Sequence, residues 1–302
     1  MAQHNKLLLA TMIIAALILV FNFALSAINN FETNLYRYNL SELSNKYFTG
    51  ITPSGWTFSI WGLIYFWQCL WIIFAFINIF RKVDGNPAYV SPMVLTPALF
   101  IAYAIDIAFT ITWTFVFDRE LIEISFVTLF LVSFTLYICL FIAYKNYATH
   151  APILAKQGRN IELWLHRLFV HNGLGIFATW TTIATLLNLV MMLVYRLGVE
   201  LQTGGTIALG ILTGEITLFV FTDLFFLDKF SRYTLTPYLV VPFALGGSMD
   251  KNWNSDKTNS IFTAALLGIG LAALVLKLIM MFWRHCRKPI QPGETNSYDL
   301  KV

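Results

Sequence analysis

The feature that most constrains this chain is the recurrence of apolar runs about 20 residues long, each able to cross a hydrocarbon core of about 30 Å as a helix. Eight such runs can be read, near residues 7–29, 56–80, 92–117, 121–144, 164–195, 206–227, 233–249 and 260–283. Inside a bilayer the backbone must satisfy its own hydrogen bonds, so these runs have to be helices packed on one another. Composition agrees: 58% hydrophobic residues against 12% charged, with a mean hydropathy of +0.67, lies outside the range of soluble domains. The fold class is therefore all-α, a polytopic membrane helical bundle of about eight transmembrane helices. The seventh run carries Pro237, Pro242, Gly246 and Gly247, which suits a kinked or re-entrant helix more than a straight one. The first run reads as a retained signal anchor. Ala24, Ser26 and Ala27 offer a small-residue cleavage site as the alternative, which would leave about seven spans.

Orientation follows from the basic residues, which are retained on the cytoplasmic side. With eight spans, twelve Lys and Arg fall on the side of the two termini and six on the other, while Arg167 and Lys277 lie inside spans. Both termini are thus expected in the cytoplasm, in a plasma membrane or endomembrane. The net charge of +4 is explained by this bias and by attraction to anionic lipid, and calls for no nucleic-acid partner. Three cysteines give no disulfide framework: Cys69 and Cys139 are inside spans. Cys286 sits in a basic juxtamembrane stretch, a palmitoylation candidate, although an unmodified thiol fits equally.

The sharpest local signal is Thr52 to Trp71, TPSGWTFSIWGLIYFWQCLW. Pro53 and Gly55 set a helix start, and Phe58, Trp61, Tyr65 and Gln68 then recur at three- and four-residue intervals on one face. An indole N–H or phenol O–H in lipid needs a partner, so that face belongs toward a bundle interior or a ligand, or else in an interfacial belt. Pro53, Gly55, Trp56, Phe58, Trp61 and Tyr65 resemble the second-helix signature of the TspO/MBR family, the tryptophan-rich sensory and translocator proteins. Its compact members have one more residue between the Phe-like position and the second Trp. The longer chains grouped with them have the TPxGxTFSIWGLIY form. Trp180, Thr185, Leu187 and Asn188 are similar, at the same intervals, to the family's fifth helix, with Thr179 where an Ala precedes the Trp. In the third span Asp106-Ile107-Ala108-Phe109 stands where compact members have Asn-Trp-x-Trp. The resemblance implies three parts: residues 1–197 as a TspO-like five-helix membrane core, 198–284 as three additional C-terminal helices, and 285–302 as a cytoplasmic polar tail.

Asp106 falls near mid-bilayer, where an acid costs on the order of 2.5 to 3.5 kcal/mol and is by default a functional-site hypothesis. Glu215 reaches a similar depth in the sixth span. Asp223 and Lys277 either pair across helices or leave Lys277 to snorkel alone. His166 and His171 are five residues apart, poor spacing for two ligands on one helix face, so no metal site is expected. Arg167 and His171 are one turn apart and could share a polar cluster. The loop from Asn30 to Ser54, with Phe31, Tyr36, Tyr38, Tyr47 and Phe48, is a lid over the pocket by resemblance or an interfacial linker by composition. It holds Asn39-Leu40-Ser41, a glycosylation sequon. Asn86 to Tyr89 has the NPxY form read by cytoplasmic adaptors and is also an ordinary turn. Leu300-Lys301-Val302 loosely fits a PDZ-binding terminus.

The leading function is a receptor, sensor or carrier that binds a hydrophobic small molecule, tetrapyrrole- or sterol-like by resemblance, between Trp56, Phe58, Trp61, Tyr65, Asp106, Phe109, Thr179 and Trp180. Depth places Asp106 and the Trp61 and Tyr65 face in one pocket. A tetrapyrrole enters as ligand rather than as a required cofactor, and the partners are membrane lipid, that ligand and a homodimeric copy. The alternative is a proton- or cation-coupled secondary transporter using Asp106 and Glu215. No nucleophile elbow, metal motif or nucleotide loop points to an enzyme, so no catalytic residue is assigned.

Overall fold

A computed structural model describes residues 4–28 and 35–287. In chain order the helices are α1 (Lys6–Ile28), α2 (Leu40–Lys46), α3 (Ile60–Phe80), α4 (Pro97–Asp118), α5 (Ile122–Lys156), α6 (Asn160–Leu165), α7 (Asn172–Tyr195), α8 (Leu201–Phe225), α9 (Asp228–Ser231), α10 (Thr236–Asn252) and α11 (Thr258–Arg287). Local chemistry sets their ends. Pro97 opens α4, where its missing N–H and fixed φ cost nothing. Asn39 and Glu42 close a reciprocal capping box on α2, each side chain accepting the other's backbone N–H. A 3-10 turn, Gly55–Ser59, leads into α3. Lys82–Val83 and Asn86–Pro87 form a small hairpin, reversed by Asp84 and Gly85, both with positive φ, the conformation that a two-residue hairpin turn requires.

Contacts between helix ends show that the long helices alternate between two ends of one bundle. Tyr89 Oη accepts the Asn5 N–H at 3.0 Å, bringing the exit of α3 beside the start of α1. Asp118 Oδ1 accepts the N–H groups of Arg37 and Tyr38 at 2.7 and 3.1 Å, so α4 ends beside the strap that follows α1. Tyr195 Oη donates to the Phe48 carbonyl at 2.8 Å on that same Ser54 end. Tyr144 Oη donates to Thr234 Oγ1 at 2.9 Å on the opposite, Lys6 end.

Among the described residues seven helices are long and apolar enough to cross a membrane, and α10 traverses the bundle as an eighth. Its first turn meets Asn172 Oδ1, which accepts from the N–H of Leu235 and Thr236 at 2.8 and 3.1 Å on the Lys6 end. Its last turn meets the Ser54 end, where the Ser248 hydroxyl donates to the Ile51 carbonyl at 2.9 Å. Seventeen residues rise about 25 Å. Of the kinked and re-entrant forms expected from its prolines, the re-entrant one is therefore replaced by a continuous helix: Pro237 sits in the first turn, where no N–H is needed, and Pro242 is carried inside the helix. Close approach decides Gly247: a Cβ there would overlap the Thr57 side chain of the 3-10 turn. With eight crossings, residue 287 returns to the end that holds residue 4.

The centre of the bundle is α7. In the span from Asn160 to Tyr195, 72% of the most apolar stretch is buried, against 17% for α11, so α7 is enclosed and α11 peripheral. α4 and α5 pack on one side with α1 and α3, while α8 and α10 cover the other side and α11 lies beyond them. At the Lys6 end α5 and α6 run past the bundle. There Glu162 pairs with Arg159 at 2.5 Å and with Arg81 at 3.0 Å.

Candidate functional site

The helical spacing read in Thr52 to Trp71 produces the face expected of it: Trp61, Tyr65 and Gln68 are all buried. Trp61 is the hub. Its ring stacks on Trp113 of α4 at 5.5 Å between centroids, tilts over Tyr65 at 5.7 Å, and meets Phe177 and Trp180 of α7 edge-on at 6.1 and 6.3 Å. Phe58 meets Trp180 edge-on at 6.4 Å, and Trp113 continues the stack to Phe117 at 5.6 Å. Gln68 donates to the Gly173 carbonyl at 2.7 Å and accepts from Trp71 Nε1 at 2.8 Å, fixing α3 against α7.

Asp106 is fully buried on α4. Its Oδ1 accepts from Thr135 Oγ1 of α5 at 2.9 Å, and its Oδ2 has no partner. Tyr103 Oη, one turn earlier, and Trp113 Nε1, two turns later, are also buried without partners. Positions 103, 106, 110 and 113 are all buried, so one inward stripe of α4 runs from Tyr103 past Asp106 to the Trp61 stack. No direct hydrogen bond joins Asp106 to Trp61 or Tyr65. The carboxyl leans toward α5, and the Tyr65 ring instead meets Phe23 of α1 edge-on at 6.4 Å. Trp113, Phe177, Tyr103 and Thr135 were not singled out in the sequence. Trp113 was within reach, because it follows Asp106 by seven residues, two turns on the same face.

Other candidates lie apart. Trp56 is 52% exposed; its Nε1 donates to Asp250 Oδ2 at 2.9 Å, beside Ser54 Oγ at 2.7 Å, and its ring meets Phe243. It ties the 3-10 turn to α10 and stands outside the Trp61 hub. Phe109 is half-buried at the edge of the core. Thr179 bonds its own helix through the Gly175 carbonyl. Asn39 spends its side-chain oxygen on the α2 cap, and Cys286 is exposed. Tyr89 of the NPxY stretch is buried, its ring stacked on His4, so its hydroxyl faces the protein. Arg167 and His171 meet through Tyr147: the guanidinium lies 5.6 Å from that ring centre, as well as 4.3 Å from that of Tyr233 and 4.7 Å from that of Trp164, and His171 packs edge-on against Tyr147 and Tyr144. A π-helical turn, His166–His171, separates their faces from those of a regular helix. Phe31 and the terminal Leu300-Lys301-Val302 lie outside the described residues. Among the described residues no group of three His, Cys, Asp or Glu is placed to hold a metal.

Residues 35–54 strap the Ser54 end. Tyr47 Oη donates to Glu120 Oε2 at 2.6 Å and Lys46 pairs with the same oxygen at 2.7 Å. The Lys46 hydrogen bond, then that of Tyr47, holds the Glu120 carboxyl below its ordinary range. On the other side Asn252 donates to the Thr52 carbonyl at 2.8 Å and Lys251 bonds Asn45. Beneath Ile51 and Pro53 lies an apolar cavity of about 40 Å³, walled by Trp180, Ile183 and Leu187 of α7, Ala208 and Leu212 of α8, and Leu245 of α10.

On the far side of α8, Asp223 and Lys277 pair at 2.7 Å, resolving the choice between pairing and snorkelling. Tyr238 Oη donates to Asp223 Oδ2 at 2.6 Å, Ser231 Oγ to Oδ1 at 2.5 Å, and Lys277 Nζ to the Ser231 carbonyl at 3.1 Å. Glu215, on α8, is half-buried and its Oε2 has no partner.

Long apolar helices alternating across one bundle, with indoles and a carboxyl turned inward, define an integral multi-pass membrane protein with an aromatic interior. The chain belongs to the TSPO-like protein family, whose model matches residues 8–279. That match runs through α8, α9 and α10 and into α11, so the C-terminal helices are part of the family's extent. No curated protein and no solved structure matches the chain.

Proposed function

We propose that this protein binds a hydrophobic small molecule, tetrapyrrole- or sterol-like by family resemblance, at the aromatic interior around Trp61, as a receptor, sensor or carrier, with both termini in the cytoplasm. One observation carries the reading. Asp106 Oδ2, Tyr103 Oη and Trp113 Nε1 are buried on one face of α4 with no partner, beside rings that supply the apolar walls small-molecule sites require. A buried polar atom left unpaired costs about 1 to 3 kcal/mol, and a ligand with both a flat apolar body and a polar edge removes that cost. Trp61 packs against Tyr65, Trp113, Phe177 and Trp180, so ligand entry requires its ring to turn.

Two variants of the purified full chain test this by fluorescence quenching with a porphyrin and a sterol. Trp61→Ala weakens a flat ligand about tenfold, the size of one lost ring stack. Asp106→Asn keeps the Thr135 bond and changes the pH dependence of binding. Unchanged affinity in both, with folding confirmed by circular dichroism, rejects the site. A transporter reading draws on a second acid with an unpartnered buried oxygen, Glu215; proton uptake in vesicles that disappears in Glu215→Gln would favour it.

A further inference from the structure

We infer an anionic-phospholipid site at the Lys6 end of the bundle: Arg167, held among the rings of Trp164, Tyr147 and Tyr233, receives the phosphate of a lipid headgroup. Its charge is unspent. Arg81 and Arg159 both pair with Glu162, and Arg232 and Arg284 both pair with Asp228. Among the described residues Arg167 has rings for neighbours and no carboxylate within ion-pair distance: its guanidinium lies over Tyr233, Trp164 and Tyr147 at 4.3, 4.7 and 5.6 Å from their centres. Ring contacts stabilise the cation without using up its N–H donors. What remains is a planar set of donors that matches a phosphate at two points.

Position selects the source of that phosphate. Arg167 and Tyr195 lie on one continuous helical span, Asn160–Tyr195, about 42 Å apart at 1.5 Å per residue. A bilayer with its headgroups is about 40 to 45 Å thick, so with Tyr195 in one polar layer Arg167 reaches the other. Its surroundings are amphipathic, as that layer is: Trp164 and Leu168 are exposed, and Tyr233 Oη lies 2.9 Å from His285 Nδ1 of α11. Charge then selects the headgroup. The rings that would take a choline ammonium are already covered by the guanidinium, and Glu162 and Asp228 are already paired, so a zwitterionic headgroup finds no place for its cation. A headgroup whose only charge is the phosphate, as in phosphatidylglycerol, loses nothing there.

Native mass spectrometry of the full chain, released from nanodiscs of equal phosphatidylglycerol and phosphatidylcholine with matched acyl chains, tests the site. Phosphatidylglycerol is expected to be retained in preference, and Arg167→Gln cuts that preference roughly tenfold, the size of one charge-assisted hydrogen bond. Lys145→Gln removes an exposed cation from the same end and leaves the preference unchanged. Should Arg167→Gln fail to fold, Arg167→Lys keeps a cation for the rings but loses the two-point contact, and the preference falls severalfold. Equal retention of the two lipids overturns the proposal, as does a preference indifferent to Arg167. An equal loss in Lys145→Gln also overturns it, because the attraction is then diffuse surface charge. Millimolar inorganic phosphate is expected to leave the lipid in place; displacement would mark a site for free anions and overturn the lipid assignment.

Discussion

Asp106 and Asp223 are both carboxyls inside a helical bundle, but their surroundings differ. Asp223 receives Ser231, Tyr238 and Lys277 within 2.7 Å, and its cation is satisfied in turn by the Ser231 carbonyl. Asp106 receives Thr135 alone, and one oxygen is left bare. A fully satisfied network fixes one arrangement of α8, α10 and α11. A half-satisfied group keeps an unspent interaction that a ligand can use, at a cost in stability that the rest of the fold must cover. The α8–α11 region thus acts as a staple, and the α3–α4–α7 interior as the place where chemistry is left open.

The largest expected effect breaks the staple. Lys277→Met strands the Asp223 carboxylate and destabilises the folded chain by about 3 to 5 kcal/mol, while adding Asp223→Asn restores much of the loss. Denaturant unfolding in detergent measures both, and a single variant as stable as wild type would remove the contrast. Asp106→Asn is the matched control: the amide oxygen still accepts from Thr135, and the stability change stays under about 1 kcal/mol. A loss near that of Lys277→Met would mean that Asp106 is structural too. The smallest effect is at the strap. Because Lys46 and Tyr47 hold the Glu120 carboxyl low, its contribution is fully present above the ordinary glutamate range, about 4.3. It is lost as pH falls through the lower folded value. This pair is solvent-exposed and screened, so its contribution is small. The stability gap between wild type and Glu120→Gln should therefore close on acidification below pH ~4, and a gap independent of pH contradicts the assignment.

Much of this was legible in the chain. Apolar runs gave the crossings because a helix is the backbone's solution in lipid, and the 3.6-residue period put Trp61, Tyr65 and Gln68 on one buried face. Depth arithmetic found Asp106 and Asp223, but left Lys277 between pairing with the latter and snorkelling alone, a choice that only the packing of α8 against α11 decides. Direction was harder to read. Depth says how far along a helix a carboxyl lies but not toward which neighbour it points, so Asp106 was expected against Tyr65 and turned instead to Thr135. Trp56 carried the family spacing yet went to Asp250, because the 3-10 turn at Gly55–Ser59 rotates it away from the face that α3 continues. The cavity beside Trp180 depends on how far α10 stands from α8, a distance no spacing within one helix encodes.

The short eighth crossing bears on what holds α10 in place. α10 has 17 residues and ends in Ser-Met-Asp-Lys-Asn, too brief and too polar to partition into lipid readily by itself as it leaves the ribosome. Its flanks are covered by α7 and by α11. In the folded chain α10 is thus sheltered by protein rather than by lipid, and its crossing depends on α7 and α11 packed against it.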